Sequence, residues 1–173
     1  SIGVDSEIIV AVTPSMSNIC YGSTINLTAQ VTGGAGGYNY SWVGPNDFTS
    51  TSNPIIIPNA TNANTGTYTV TVTDSNECFS TDTASISVGS ELNLSVQPSS
   101  IVLCPGSDLN ITADISGGSG GYNYSWSGPN GFISNLKTIT INNVSSSNSG
   151  TYNITVTDSS GCAISGSSTV TVN

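Results

Sequence analysis

The heptapeptide Gly36-Gly37-Tyr38-Asn39-Tyr40-Ser41-Trp42 returns unchanged as Gly120-Gly121-Tyr122-Asn123-Tyr124-Ser125-Trp126, 84 residues further on. The same offset links Cys20 to Cys104, Tyr68 to Tyr152 and Cys78 to Cys162, and about half of the positions aligned this way are identical without a gap. A fixed period takes precedence over local pattern, because each copy must fold as one unit. The chain therefore divides into two repeats, residues 6–89 and 90–173. Ser1-Ile2-Gly3-Val4-Asp5 aligns with Ser85-Ile86-Ser87-Val88-Gly89 and with Thr169-Val170-Thr171-Val172-Asn173. Residues 1–5 thus read as the end strand of a preceding repeat in a longer array, or as an N-terminal extension.

Within a repeat the apolar residues recur with period two, the signature of half-buried strands. Glu7 to Thr13 reads as strand A, stopped by Pro14. Ile25, Leu27, Ala29 and Val31 alternate with Asn26, Thr28 and Gln30 as strand B. Tyr38, Tyr40 and Trp42 share one face of strand C, which follows a glycine-rich turn at residues 33–37. Ile55 and Ile57 mark a short strand E, Thr67 to Thr73 is strand F, and strand G runs from Cys78 to about Val88. Some seven short strands per repeat, with turns every 8 to 12 residues or about that, predict an antiparallel β-sandwich.

The order of landmarks narrows the sandwich to an immunoglobulin-like one. Leu27 precedes Trp42 by 15 residues, and Asn64-Thr65-Gly66-Thr67-Tyr68 precedes Val70 like a tyrosine corner. Leu27 and Val70, with Ile111 and Ile154 in the second repeat, stand where an inter-sheet cysteine pair would sit. The expected core is Leu27, Trp42, Tyr68 and Val70, then Ile111, Trp126, Tyr152 and Ile154. A domain of this size buries only a little over about 60% of its unfolded surface, so cross-links matter.

Cys20 falls in the A–B turn and Cys78 after the F–G turn, at opposite ends of the predicted sandwich. Strand B alone separates the ends by roughly 23 Å at about 3.3 Å per residue, whereas a disulfide needs Cα atoms within about 7 Å. Two pairings stay open. In one, Cys20 bonds Cys162 between domains stacked head to tail, and Cys78 and Cys104 pair with neighbouring repeats. In the other, Cys20–Cys78 and Cys104–Cys162 close within each domain. The connection Val88-Gly89-Ser90-Glu91-Leu92 is short for a flexible linker, which favours a rod.

Composition removes several function classes. Net charge is −9 with a single base, Lys137, so phosphate neutralisation and nucleic-acid binding are excluded, as is a polybasic membrane contact. No apolar run is long enough to span a bilayer, and no direct membrane insertion is expected. Four cysteines at repeated spacing, no histidine and no CxxC pair point to an oxidising compartment rather than a zinc site. Without histidine or suggestively spaced carboxylates there is poor material for catalysis, and no enzyme is expected.

The pieces Cys20-Tyr21-Gly22 and Cys104-Pro105-Gly106, the glycine turn into Tyr-x-Tyr-Ser-Trp, residues Gly66 to Asp74, and Ser160-Gly161-Cys162 form a set. Together they resemble the immunoglobulin-like surface repeats of Bacteroidetes, including the tandem repeats of SprB-like gliding and giant adhesins. Asn76-Glu77-Cys78 departs from that pattern, where a glycine usually precedes the cysteine. The resemblance implies a long, non-catalytic stalk or filament on the cell surface, exported to the exterior and serving adhesion or gliding. It also makes Asp82-Thr83-Ala84 a candidate O-glycosylation motif at Thr83.

Further candidates carry less specific patterns. Asp74 and Glu77, or Glu91 with Asp158, offer oxygen ligands for calcium, though no loop motif surrounds them and no other cofactor is expected. Tyr38, Tyr40 and Trp42 form either core or a sugar-stacking platform, and Phe48 and Phe132 lie in loops as candidate contacts. Asn-x-Ser/Thr acceptors occur at Asn26, Asn39, Asn59, Asn93, Asn110, Asn123, Asn143 and Asn153. Two other functions compete with the stalk. One is a pilus-like subunit polymerised by donating residues 1–13 as a strand; the other is a carbohydrate-binding module of a secreted enzyme. The expected partners are neighbouring repeats and a surface glycan or protein ligand.

Overall fold

The computed structural model describes residues 6–173, so the reading of residues 1–5 lies outside the described residues. Two compact units meet at the Ser90–Glu91 bond, one residue past the boundary read from the repeat. The first contains β1 (Ile9–Thr13), β2 (Met16–Ile19), β3 (Ile25–Thr32), β4 (Asn39–Gly44), β5 (Phe48–Ser50), β6 (Ile55–Ile57), β7 (Gly66–Thr73) and β8 (Phe79–Val88). They form a three-stranded sheet, β1-β3-β6, and a five-stranded sheet, β2-β8-β7-β4-β5. The second unit repeats the plan. It has β9 (Asn93–Gln97), β10 (Ser100–Leu103), β11 (Leu109–Ser116), β12 (Asn123–Gly128), β13 (Phe132–Ser134), β14 (Thr138–Ile141), β15 (Gly150–Thr157) and β16 (Ala163–Val172). Its sheets are β9-β11-β14 and β10-β16-β15-β12-β13.

Two strands per unit go beyond the sequence reading. The chain does not stop pairing at Pro14: it leaves β1 in one sheet and resumes as β2 in the other. Proline supplies no N–H for a ladder, so the antiparallel pairing of β1 with β3 ends there. β2 then pairs with β8 in parallel, Ile19 beside Val88, and β10 pairs with β16 likewise. The sandwich is therefore mixed rather than purely antiparallel. Phe48 and Phe132 are not loop contacts either. They open β5 and β13, half-buried, with their rings edge-on to Tyr68 and Tyr152 at centroid distances of 5.6 and 5.5 Å.

Each core is filled by the inward residues of these alternating strands. Leu27, Trp42, Tyr68 and Val70 have no exposed surface, and Ile111, Trp126, Tyr152 and Ile154 are buried to within 2%. Burying one such aliphatic side chain stabilises the unit by about 1.5–3 kcal/mol. Trp42 and Trp126 are thus packing residues, and neither is available as a sugar platform. Tyr68 donates its hydroxyl to the Asn64 carbonyl at 3.0 Å, and Tyr152 donates to the Asn148 carbonyl at 3.1 Å. Gly44 makes room for that ring: a Cβ there would lie 2.5 Å from Tyr68 Cδ1, so a larger residue would displace the tyrosine.

β1 completes its own sandwich by pairing with β3 from Ile9 to Thr13. Residues 9–13 are consequently not a free donor strand.

Candidate functional site: the cysteine-bearing ends of each sandwich

One cysteine closes each end of each unit, and the backbone fixes both. At the first end Cys20 follows β2, in a turn tied to Ala60, three residues beyond β6. Gly22 N–H donates to Ala60 O at 2.7 Å, Ala60 N–H returns to Ser23 O at 2.8 Å, and Ser23 N–H donates to Cys20 O at 3.0 Å. The copy around Cys104 has the same three bonds, with Gly106, Val144 and Ser107 at 2.8, 2.8 and 3.2 Å. Ala60 and Val144 are buried, so the turn is anchored in the core.

At the other end a carboxylate does the fastening. Asp74 ends β7 and accepts backbone N–H groups from Ala35, Asn76 and Cys78 at 2.9, 2.9 and 3.0 Å. Asp158 accepts from Ser119, Ser160 and Cys162 at the same three distances. Each aspartate ties the glycine-rich turn to the turn that carries the cysteine. The Ala35 N–H is the main influence holding the Asp74 carboxyl below the usual carboxylate range, against the opposing effect of burial. The Ser119 N–H leads for Asp158 in the same direction. The residue before each cysteine is left-handed, φ +64° at Glu77 and +83° at Gly161. The sequence departure at Glu77 therefore puts a side chain where glycine is at ease.

These bonds redefine the calcium candidates. The oxygens of Asp74 and Asp158 face backbone donors, Glu77 and Glu91 are exposed, and no trio of metal-ligating side chains gathers among the described residues. The clamp was legible in part, since an aspartate four residues before a cysteine occurs at the same place in both repeats. Its partners on the glycine turn were not, because they lie 39 residues away.

The separation of the two ends follows from one strand. Gly89 N–H donates to Ile19 O at 2.9 Å, which sets Cys20 level with the end of β8, while Cys78 immediately precedes its first residue. β8 has 10 residues, a span of about 33 Å at 3.3 Å per residue. β16 is equally long between Cys162 and the level of Cys104. A disulfide within a unit is out of reach, and the pairings Cys20–Cys78 and Cys104–Cys162 are overturned. Cys20 and Cys162 each take part in a disulfide, whereas Cys78 and Cys104 are exposed free thiols.

The modification candidates are all on the surface. Thr83 is exposed in the middle of β8, and its neighbour Asp82 accepts the Val12 N–H at 2.7 Å. Asn59 and Asn143 are exposed in left-handed turns, both at φ +53°. The other six Asn-x-Ser/Thr acceptors lie in strands, with the middle residue turned inward. An outward Asn, an inward apolar residue and an outward Ser or Thr spell that triplet from strand alternation alone.

Two cores, each a three-stranded sheet facing a five-stranded one with a tyrosine corner, define an immunoglobulin sandwich. The immunoglobulin domain model matches the sequence twice, over residues 8–88 and 92–172. The chain belongs to the immunoglobulin domain family. No curated protein matches it. Among solved structures it is similar to the N-terminal four Ig domains of Dscam1 isoform 1.9, at 15% identity and a TM-score of 0.45 over 100% of this chain and 47% of that one. It is also similar to three N-terminal domains of the highly immunogenic outer capsid protein (Hoc) of bacteriophage RB49. That likeness has 20% identity and a TM-score of 0.47 over 96% of this chain and 59% of that one. The chain spans about half the length of the structures it matches.

Proposed function

We propose that the two domains are non-catalytic structural repeats of an extracellular, cell-surface adhesion array, a stalk whose neighbouring domains are joined by a Cys20–Cys162 disulfide. The observation that carries the reading is the placement of cysteines. Each sandwich holds one at either end, about 33 Å apart along a single strand, and Cys20 and Cys162 are each disulfide-bonded while Cys78 and Cys104 are free. A bridge between consecutive repeats would contribute about 2–4 kcal/mol and hold their angle. It also implies an oxidising compartment outside the cytosol. The short connection from Val88 to Leu92 supports the same stiffness. The resemblance to Bacteroidetes surface repeats suggests adhesion or gliding as the setting, with any glycan or protein ligand bound elsewhere.

Non-reducing peptide mapping tests the bond, and small-angle scattering tests its consequence. The expected results are a Cys20–Cys162 peptide and a maximum dimension that becomes broadly distributed in Cys20→Ser or under reductant. A Cys104–Cys162 peptide, or a scattering curve indifferent to reduction, would sink the reading.

A further inference from the structure

We infer that Cys78 and Cys104 are the two open halves of the same cross-link, and that the partner of each is another immunoglobulin repeat. Cys104 takes the cysteine of a following repeat's F–G turn, and Cys78 takes the cysteine of a preceding repeat's A–B turn. The inference rests on the proposed Cys20–Cys162 bridge and names the partner that extends it.

Cys104 is the copy of Cys20, and the same three backbone bonds seat it. Cys78 is the copy of Cys162, held by its own aspartate at 3.0 Å as Cys162 is. In each matched pair one member is disulfide-bonded and the other is an exposed thiol. The same seat therefore accommodates a disulfide at one copy and leaves it unmade at the other. The β8 and β16 distances rule out a partner within the unit, so the missing sulfur must come from a separate sandwich.

The polarity of the join follows from the repeat. An A–B cysteine meets an F–G cysteine, so Cys104 of one copy matches Cys78 of the next, a head-to-tail contact that does not close on itself. Joining them removes two protons and two electrons. The electrons pass to the disulfide of a thiol–disulfide oxidoreductase or of oxidised glutathione, which leaves as two thiols. The partner repeat lies either in the same polypeptide or in a second copy, and the chemistry is the same.

Cys78→Ser and Cys104→Ser variants of the 173-residue chain, mixed in oxidised glutathione, separate the outcomes. The expected product is a disulfide dimer holding one copy of each variant through Cys104 and Cys78, while either variant alone loses the dimer and wild type gives a ladder. A second arm appends a copy of residues 6–89 after Asn173. There the expected product is an internal bond from Cys104 to the appended F–G cysteine. Dimer from the mixture assigns the partner to a second copy, and a bond formed solely in the extended chain assigns it to the same polypeptide. Homodimers of each variant at the yield of the mixture, or no bond in either arm, overturn the inference. The Cys20–Cys162 peptide in the same digest keeps the two readings apart, since its presence without any Cys104–Cys78 product removes this one alone.

Discussion

At the scale of single residues, identical letters do not have identical surroundings. Trp126 donates its indole N–H to Leu136 O at 2.9 Å, whereas Trp42 Nε1 is buried without a protein partner. The difference arises downstream of β5. In the first repeat Asn53 uses its side chain to accept Ala29 N–H and donate to Ala29 O, both at 2.8 Å. In the second the Lys137 carbonyl takes the Ala113 N–H at 3.0 Å, and the strand lies close enough for Leu136 to receive the tryptophan. Removing an unpaired donor costs little, and removing a paired one costs about 1 kcal/mol net. Trp126→Phe is therefore expected to destabilise its domain by about 1 kcal/mol more than Trp42→Phe does. Denaturant midpoints of the two variants check this, and equal losses would count against it. Nothing in the repeated heptapeptide foretold the contrast. The burial of both tryptophans was legible, because alternation turns Leu27 of one sheet and Trp42 and Val70 of the other toward the same core.

At the scale of elements, the two repeats close the seam between their first and last strands by different chemistry. In the first, Asp82 on β8 accepts the Val12 N–H of β1 at 2.7 Å. In the second, Gly166 stands at the equivalent place, where a Cβ would lie 2.9 Å from Val96 Cγ2 and 3.2 Å from Leu94 Cδ2. Asp82→Ala is expected to cost about 1–3 kcal/mol through the lost charge-assisted bond. Gly166→Asp is expected to destabilise the second domain rather than reproduce the first one's bond. Chemical denaturation of both variants tests the pair, and a neutral Gly166→Asp would show that the seam is looser than described. The split first strand was hidden from sequence reading. β2 has 4 residues and β5 has 3, too short for periodicity to register, and the partner of β2 lies almost 70 residues away. The longer β3 and β7 were legible because their apolar faces alternate over 8 residues.

At the scale of the whole molecule, the paired aspartate clamps make acid a common solvent of both domains. Asp74 and Asp158 are held below the ordinary carboxylate range by backbone N–H groups. Their stabilising effect is therefore complete above the unfolded value, about 3.9, and lost as pH falls through the depressed folded value. Thermal melts are expected to be flat with respect to these groups above about pH 5 and to drop at lower pH. Asp74→Asn with Asp158→Asn should lower the neutral-pH melting temperature and flatten the acid limb; an unaltered acid limb would assign the loss to other carboxylates. The repeat itself was fully legible at this scale, and so were the opposite positions of the cysteines. Which thiols are oxidised was not, since all four occupy equivalent spacings.

The parallel contact of β2 with β8 sets how a repeat bears tension. Sulfurs at its two ends would load β8 lengthwise, so the hydrogen bonds to β2 and β7 would be strained together in shear instead of parting one after another like a zip. A domain tethered in this way yields late, because no single bond can fail ahead of its neighbours.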